Sequence, residues 1–286
     1  MNMKLIVDSG SDLPQDILNQ YDIDMVSLIV HLDDKDYYDR ENIESIAVYE
    51  AMRSGSVPKT AQATPETFYE YFKKYVEADT PIIYLAFSSE LSGTYQSATI
   101  AKQQIEEEFD NPEIYIIDTL AASMGHGLIA YHTAKAIKNG GDIQDVLDTA
   151  NFYVNHMVHV FTVDNLEYLQ RGGRVSKAQA FVGGLLKIKP LLHVDEGKLV
   201  PLEKVRGAKK VLGRMVELTK ERGSKIEDQT IAITHGDDES NAVKLAEMLR
   251  EELNPKDIII HPIGSAIGAH AGPGTIALFF LDNVEI

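Results

Sequence analysis

Small hydroxyl residues and glycines gather directly after apolar runs at four places in this chain. Lys4–Val7 leads into Asp8-Ser9-Gly10-Ser11-Asp12-Leu13-Pro14, and Ile82–Phe87 leads into Ser88-Ser89-Glu90-Leu91-Ser92-Gly93-Thr94. Ile114–Ile117 leads into Asp118-Thr119, with Ser123, Gly125 and Gly127 beyond. Ile258–Ile260 leads into a loop ending Gly268-Ala269-His270-Ala271-Gly272-Pro273-Gly274. If the apolar runs are strands of an open α/β sheet, these stretches lie at the carboxyl ends, where such sheets hold ligands. None carries a cluster of metal ligands, so the chemistry on offer is hydrogen bonding to a polar or anionic group.

Each stretch has a chemical and a purely structural reading. The Ser92-Gly93-Thr94 turn opens a helix; its free N–H groups and the helix dipole favour an anion, with Gly93 allowing close approach and Ser92 donating. Capping by Ser92 accounts for the same residues. Asp8 and Asp12 flank a Ser-Gly-Ser turn, and local bonds to backbone N–H groups explain them more simply than metal or acid–base chemistry. Capping at Asp12, with Pro14 in the first helical turn, is the simplest version. His270 sits among glycines and either is satisfied within the fold or donates to a carboxylate. Arg171-Gly172-Gly173-Arg174 lacks the spacing of a phosphate-binding P-loop; the two arginines suit a partner's carboxylates or phosphates. Phe181-Val182-Gly183-Gly184-Leu185-Leu186 reads either as core or as the wall of an apolar tunnel.

The elements that must position these residues follow from pattern. Strands are predicted at Lys4–Asp8, Ile82–Phe87, Ile114–Asp118, Val158–Val163, Ile188–Val194, Ile231–His235, Ile258–Ile263 and Ile276–Leu281. Helices are predicted at Thr64–Glu77, Thr94–Phe109, Gly127–Asn139, Ile143–His156, Ala208–Arg222 and Ser240–Leu253. The alternation implies parallel sheets with crossover helices. Asp195–Lys198 reads as a hairpin turn, so the second half has an antiparallel element. A new strand system begins after Ile143–His156, which places a domain boundary near residue 155 without a flexible linker.

Composition narrows the function classes. The 286 residues are 44% apolar and include no cysteine, which excludes disulfides and thiolate metal sites. The start, MNMKLIVDSGSD, reads as a first strand and not a signal peptide. No apolar stretch is long enough to span a bilayer, so a soluble cytoplasmic protein is expected. A net charge of −17 argues against nucleic acid as a partner. Residues 171–222 nevertheless hold 13 Lys/Arg against 5 Asp/Glu, while the rest holds 14 against 39. That segment is either a solvated helical face or a basic patch that steers an anionic partner.

Taken together, these segments resemble the DegV family. The resemblance rests on DSGSDLP at Asp8–Pro14, KTAQATPETF at Lys59–Phe68, SSELSGTYQSA at Ser88–Ala98 and IIDT at Ile116–Thr119. It continues through LEYLQRGGRVSKAQAFVGGLLKIKPLL at Leu166–Leu192 and GAHAGPGTIAL at Gly268–Leu278, in family order over nearly the whole chain. The resemblance implies two α/β domains, with a mainly parallel sheet in residues 1–155 and a mixed sheet in residues 156–286. It implies a long-chain fatty acid as ligand, its carboxylate held by Thr60, Ser92 and His270 with the helix start at Gly93, and no other cofactor or metal. It implies a separate kinase subunit that phosphorylates that carboxylate to an acyl phosphate, with Arg171 and Arg206 facing the partner or the phosphate; Arg174, on the same glycine hinge as Arg171, is a further candidate for that contact. The chain itself is then a lipid-binding protein and not an enzyme, with transient contact at a membrane surface. Phe181, Leu185 and Leu186 become candidates for the acyl tunnel. Ala61 and Ala63 stand where the family usually carries Ser and Pro, so the loop at Thr60 departs from the pattern. Two alternatives remain: a stand-alone lipid carrier or sensor, and a small-ketone-binding protein related to dihydroxyacetone kinases with His270 as nucleophile.

Overall fold

The computed structural model describes residues 3–175 and 188–285. Its strands run β1 (Lys4–Asp8), β2 (Asp24–Val26), β3 (Ile29–Leu32), β4 (Lys35–Tyr38), β5 (Lys59–Ala61), β6 (Ile82–Ala86) and β7 (Ile114–Asp118). They continue as β8 (Met157–Thr162), β9 (Ile188–Asp195), β10 (Lys198–Arg206), β11 (Thr230–His235), β12 (Asp257–Pro262) and β13 (Ile276–Leu281). The helices are α1 (Gln15–Gln20), α2 (Ser45–Arg53), α3 (Pro65–Val76), α4 (Thr94–Glu108) and α5 (Met124–Lys138). After these come α6 (Ile143–His156), α7 (Glu167–Arg171), α8 (Ala208–Arg222), α9 (Glu239–Leu253) and α10 (Ser265–Ala271).

Three sheets form among the described residues. β2-β1-β6-β7 is fully parallel. β10-β9-β8-β13-β11-β12 is mixed, with β11 and β12 its parallel pair. The small antiparallel sheet β4-β3-β5 stands apart. The first two bear out the expected mixed α/β class. All eight predicted strands form, with ends shifted by no more than a residue. Central strands read clearly because both faces are covered: every residue of β1, β6 and β13 is buried, and β6, β13 and the middle of β1 are continuous apolar runs apart from the Tyr84 hydroxyl. The hairpin turn is tight, with positive φ at both Glu196 and Gly197.

Helix α5 lies between the two large sheets. Nine of its residues, from Met124 through Ala134, are buried, and it touches β1 and β6 on one side and β8, β11 and β13 on the other. A helix buried on so many sides cannot show a polar face. One apolar core therefore runs from Val7 and Leu85 through Leu128 and Ile129 to Phe161 and Phe279. Outer layers close the remaining faces: α3 and α4 cover the parallel sheet through Phe68, Phe72 and Ala101, and α8 and α9 cover the mixed sheet through Met215 and Leu245. The small sheet packs with α2 and α10 through Val30, Tyr49, Ala266 and Ala269.

Three local expectations need correction. α5 begins at Met124 and not at Gly127, because glycines at 125 and 127 that look like a loop lie inside the buried first turn. His270 is on α10 and not in a loop; seven residues of small side chains are too short to show helical period. Asp12 does not cap the helix that follows it. The residue before α1 is Pro14, which makes no side-chain cap bond. Asp12 accepts instead from Gly264 N at 2.9 Å, ahead of α10, while Asp39 accepts from Ser265 N at 2.9 Å.

Candidate functional site

A cavity of about 350 Å³ lies beyond the carboxyl end of β6, against the inner face of the mixed sheet. Its walls are mainly apolar: Phe87 and Leu91 after β6, Phe161 on β8, Val194 and Leu199 on the hairpin, Ile267 on α10, and Ala277 and Phe279 on β13. Polar groups gather where β5, the start of α4 and α10 converge: Thr60, Gln62, Ser92, Gly93, Arg174 and His270. The size suits a small-molecule ligand, and the lining suits one with an apolar body and a polar head.

Thr60 and His270 are 210 residues apart in sequence, yet Thr60 Oγ1 meets His270 Nε2 at 2.6 Å. β5 holds Thr60 through its pairing with Val30, and α10 carries His270 in its last turn. Burial pushes His270 down to about 4, and the nearby Arg174 charge adds to this. The ring is therefore neutral at pH 7, with a single N–H to donate. The Arg-Gly-Gly-Arg turn explains its own glycines. A Cβ at Gly172 would lie 2.2 Å from His270 Nδ1, so only glycine lets the turn pack against the ring. Arg174 is held by Nε donating to Leu91 O at 3.1 Å and Nη1 donating to Gly172 O at 2.5 Å.

Ser92 Oγ accepts from Thr94 N at 3.3 Å and shares a 2.8 Å bond with the Thr94 hydroxyl. It thus takes up one N–H at the head of α4, and Gly93, the residue before the helix, offers no side chain. The first turn of α4 also contains no acidic residue. Its positive end faces the cavity without a carboxylate of its own chain nearby in sequence. Gln62 crosses this end and donates from Nε2 to Ser97 Oγ at 2.9 Å.

A second cavity of about 260 Å³ adjoins the first and shares Thr60, Arg174 and His270 with it. Lys59, Tyr168 and Arg171 line its other walls. Arg171 ends α7, pairs with Glu167 at 3.0 Å and lies over the Tyr168 ring. Arg206 ends β10, is exposed, and lines neither cavity. Phe181, Leu185 and Leu186 lie outside the described residues. Asp8 is structural: it accepts from Gly10 N at 3.0 Å, the Tyr84 hydroxyl at 2.7 Å and Phe87 N at 2.8 Å, tying β1 to β6.

Sequence reasoning passed over Gln62, Ser123 and His159 as lining residues. Ser123 had a signal, since it follows β7 among glycines. It takes a positive φ of 53° ahead of α5, and its hydroxyl donates to Asp12 Oδ2 at 2.5 Å. His159 also had one, as a polar residue inside an otherwise apolar strand. Among the described residues no three His, Asp or Glu side chains converge as a metal site would require.

The fold and site define an α/β protein built around an internal apolar cavity with a donor-rich mouth. The chain belongs to the DegV family: the model described as "Uncharacterised protein, DegV family" matches residues 2–283. It is 40% identical over 284 residues to a DegV domain-containing protein of Clostridium perfringens, with 98% of each chain covered. It is 39% identical over 285 residues to a fatty acid-binding protein of Thermotoga maritima, with 96% of each chain covered. Its structure matches that of a fatty-acid-binding DegV family protein from Thermus thermophilus with a TM-score of 0.91 at 31% identity, covering 98% of this chain and 99% of the other.

Proposed function

We propose that this chain binds a long-chain fatty acid, with the hydrocarbon in the apolar cavity and the carboxylate between Thr60, Ser92, His270 and the head of α4. The observation that carries the reading is the Thr60–His270 bond at the polar end of an otherwise apolar cavity. Burying about fourteen methylenes gains roughly 11 kcal/mol before binding entropy is subtracted. A bare buried carboxylate would forfeit much of that, so several donors are needed. The Thr60–His270 bond uses one of that pair's two protons and leaves one for the carboxylate; the Ser92 hydroxyl and the N–H groups at the head of α4 supply the other donors, and together they fix which end of the ligand faces the mouth. A nucleophilic role for His270 toward a small ketone is less suited, because its Nε2 is engaged by Thr60 and the space behind is apolar.

The reading extends to a partner. The second cavity gives the carboxylate end a route to the surface lined by Lys59, Arg171 and Arg174. A separate kinase can bring a nucleotide γ-phosphate to that route, where cations steady phosphate charge while the carboxylate oxygen attacks. Residues 1–155 then supply Thr60 and Ser92, residues 156–286 supply His270 and the arginines, and the ligand lies across the division. Arg206 belongs to the partner's footprint in this scheme and not to the ligand's. The chain works in the cytoplasm and touches a membrane surface only to load; among the described residues no helix is long and apolar enough to cross one.

Native mass spectrometry of the purified chain tests the ligand. A co-purifying mass in the fatty acid range is expected, and a protein that neither carries nor takes up fatty acid refutes the assignment. With ATP, Mg²⁺ and fatty acid the isolated chain should form no acyl phosphate, whereas addition of the kinase should produce it.

A further inference from the structure

The donors proposed for the carboxylate come from two separate places. Thr60 and His270 form one pair, on β5 and the last turn of α10, and Ser92 and Gly93 form the other, at the head of α4. A carboxylate is small, so both pairs serve it only if β5 is held at a fixed distance from α4. β5 alone is a poor anchor. It has three residues and lies at the edge of the small sheet, paired with β3, while α4 covers a different sheet.

Gln62 spans the gap. It directly follows β5, lines the cavity with Thr60, and donates from Nε2 to Ser97 Oγ at 2.9 Å. Ser97 is buried one turn into α4, where its own N–H donates to Gly93 O at 3.0 Å. The Gln62 amide lies directly against Gly93: a Cβ there would come within 1.9 Å of Oε1 and 2.7 Å of Cδ. Glycine at 93 therefore makes room for this amide at the head of the helix. Among the described residues, the Gln62–Ser97 bond is the one hydrogen bond that ties residues 59–63 to α4. The side chain is also neutral. A carboxylate in its place would lie at the positive end of α4 and close it, as Asp12 does for Gly264 N ahead of α10.

We propose that Gln62 is a positioning residue of the carboxylate site. Its amide clasps β5 to α4, so that the Thr60–His270 pair and the Ser92–Gly93 turn close on one head group, and its neutrality leaves the α4 head to the ligand. This rests on the fatty acid reading and adds a residue to that site. The test compares palmitate with hexadecanol, which share a chain length and differ in the head, on the delipidated full chain, with urea midpoints measured alongside. The unaltered chain should favour the acid. Gln62→Met keeps the reach and removes the clasp. Palmitate should then weaken roughly three- to tenfold, the worth of one hydrogen bond, while hexadecanol stays within about twofold and the urea midpoint hardly moves. Gln62→Glu can still accept from the Ser97 hydroxyl but brings a charge, so it should weaken palmitate further than Gln62→Met does and again spare hexadecanol. A merely structural contact would weaken both ligands alike. If Gln62→Met keeps the palmitate-to-hexadecanol ratio of the unaltered chain, Gln62 positions nothing; the inference is overturned and the fatty acid reading stands. If the unaltered chain binds neither ligand, or binds palmitate no better than hexadecanol, the carboxylate reading itself falls and takes the inference with it.

Discussion

The heads of α4 and α10 face the same region and are treated in opposite ways. At α10, Gly264 N and Ser265 N are answered by Asp12 and Asp39, both buried carboxylates brought from far away in sequence. At α4, Ser92 takes up one N–H, Gly93 adds no side chain, and no acidic residue occupies the first turn. Both helices present a positive end. One is closed by carboxyl oxygens of the chain itself and becomes a joint between the two halves. The other keeps its positive end open, and on the proposed reading an anion from outside takes it. Whether a helix head is joint or receptor thus depends on whether the fold delivers its own carboxylate.

The comparison breaks most directly at Asp12. Asp12→Ala removes the acceptor for Gly264 N and for the Ser123 hydroxyl at a fully buried site. Loss of about 2–4 kcal/mol is expected, read from the midpoint of urea unfolding. At the open head the penalty should appear in affinity. His270→Ala should weaken fatty acid binding roughly 10- to 100-fold, and Ser92→Ala somewhat less, since bonds to a charged group are worth ~1.5–3 kcal/mol each. Ser92→Ala should lower stability by only about 1 kcal/mol, the usual worth of a cap. If Ser92→Ala destabilises like Asp12→Ala and leaves affinity unchanged, α4 is also only a joint.

This contrast could not have been read from the sequence. The strand carboxyl ends and the Ser92-Gly93 turn were visible because buried parallel strands are unbroken apolar runs and helix starts have local signals. The partners of Asp12 were not, because Gly264 lies 252 residues away and helix capping is ordinarily a local event. Thr60 was placed by resemblance alone: β5 has three residues, none buried, and carries no periodicity. The companion strands β3 and β4 are four residues each, too short to stand out, and β4 is also mostly exposed. α10 was hidden by its small residues, and with it the fact that His270 ends a helix.

The joint at the head of α10 and the polar end of the cavity should also separate under titration. Burial raises the Asp12 carboxyl to about 7, above its usual 3.8. Between those values the folded state holds the extra proton, so this group's contribution to stability falls as pH rises from about 4 to about 7. His270 does the reverse. Its ring is lowered from 6.5 to about 4, so the unfolded state binds the extra proton in that window and stability is lost as pH falls through it. His132, His159 and His261 are lowered likewise, so the intact chain should lose stability on acidification below pH 6.5. Asp12→Asn should make that acid loss steeper and His270→Phe should make it shallower, each by up to ~1.4 kcal/mol per pH unit. Unfolding midpoints between pH 4.5 and 7.5 check both signs.

The smallest effect on binding is expected where the site would meet the proposed kinase. Arg171 and Arg174 flank one glycine pair, but only Arg174 lines the apolar cavity, and its guanidinium is anchored on Leu91 and Gly172. Arg171 lies in the outer cavity, where its ion pair with Glu167 is exposed and worth at most about 1 kcal/mol. Arg171→Ala should therefore leave stability nearly unchanged and fatty acid affinity within about twofold, while sharply lowering acyl phosphate formation once the kinase is present. Equal losses in binding and in phosphorylation would move Arg171 into the carboxylate site. An unchanged phosphorylation rate would free the outer cavity from any part in phosphoryl transfer, leaving α4 as a receptor for an anion that stays bound.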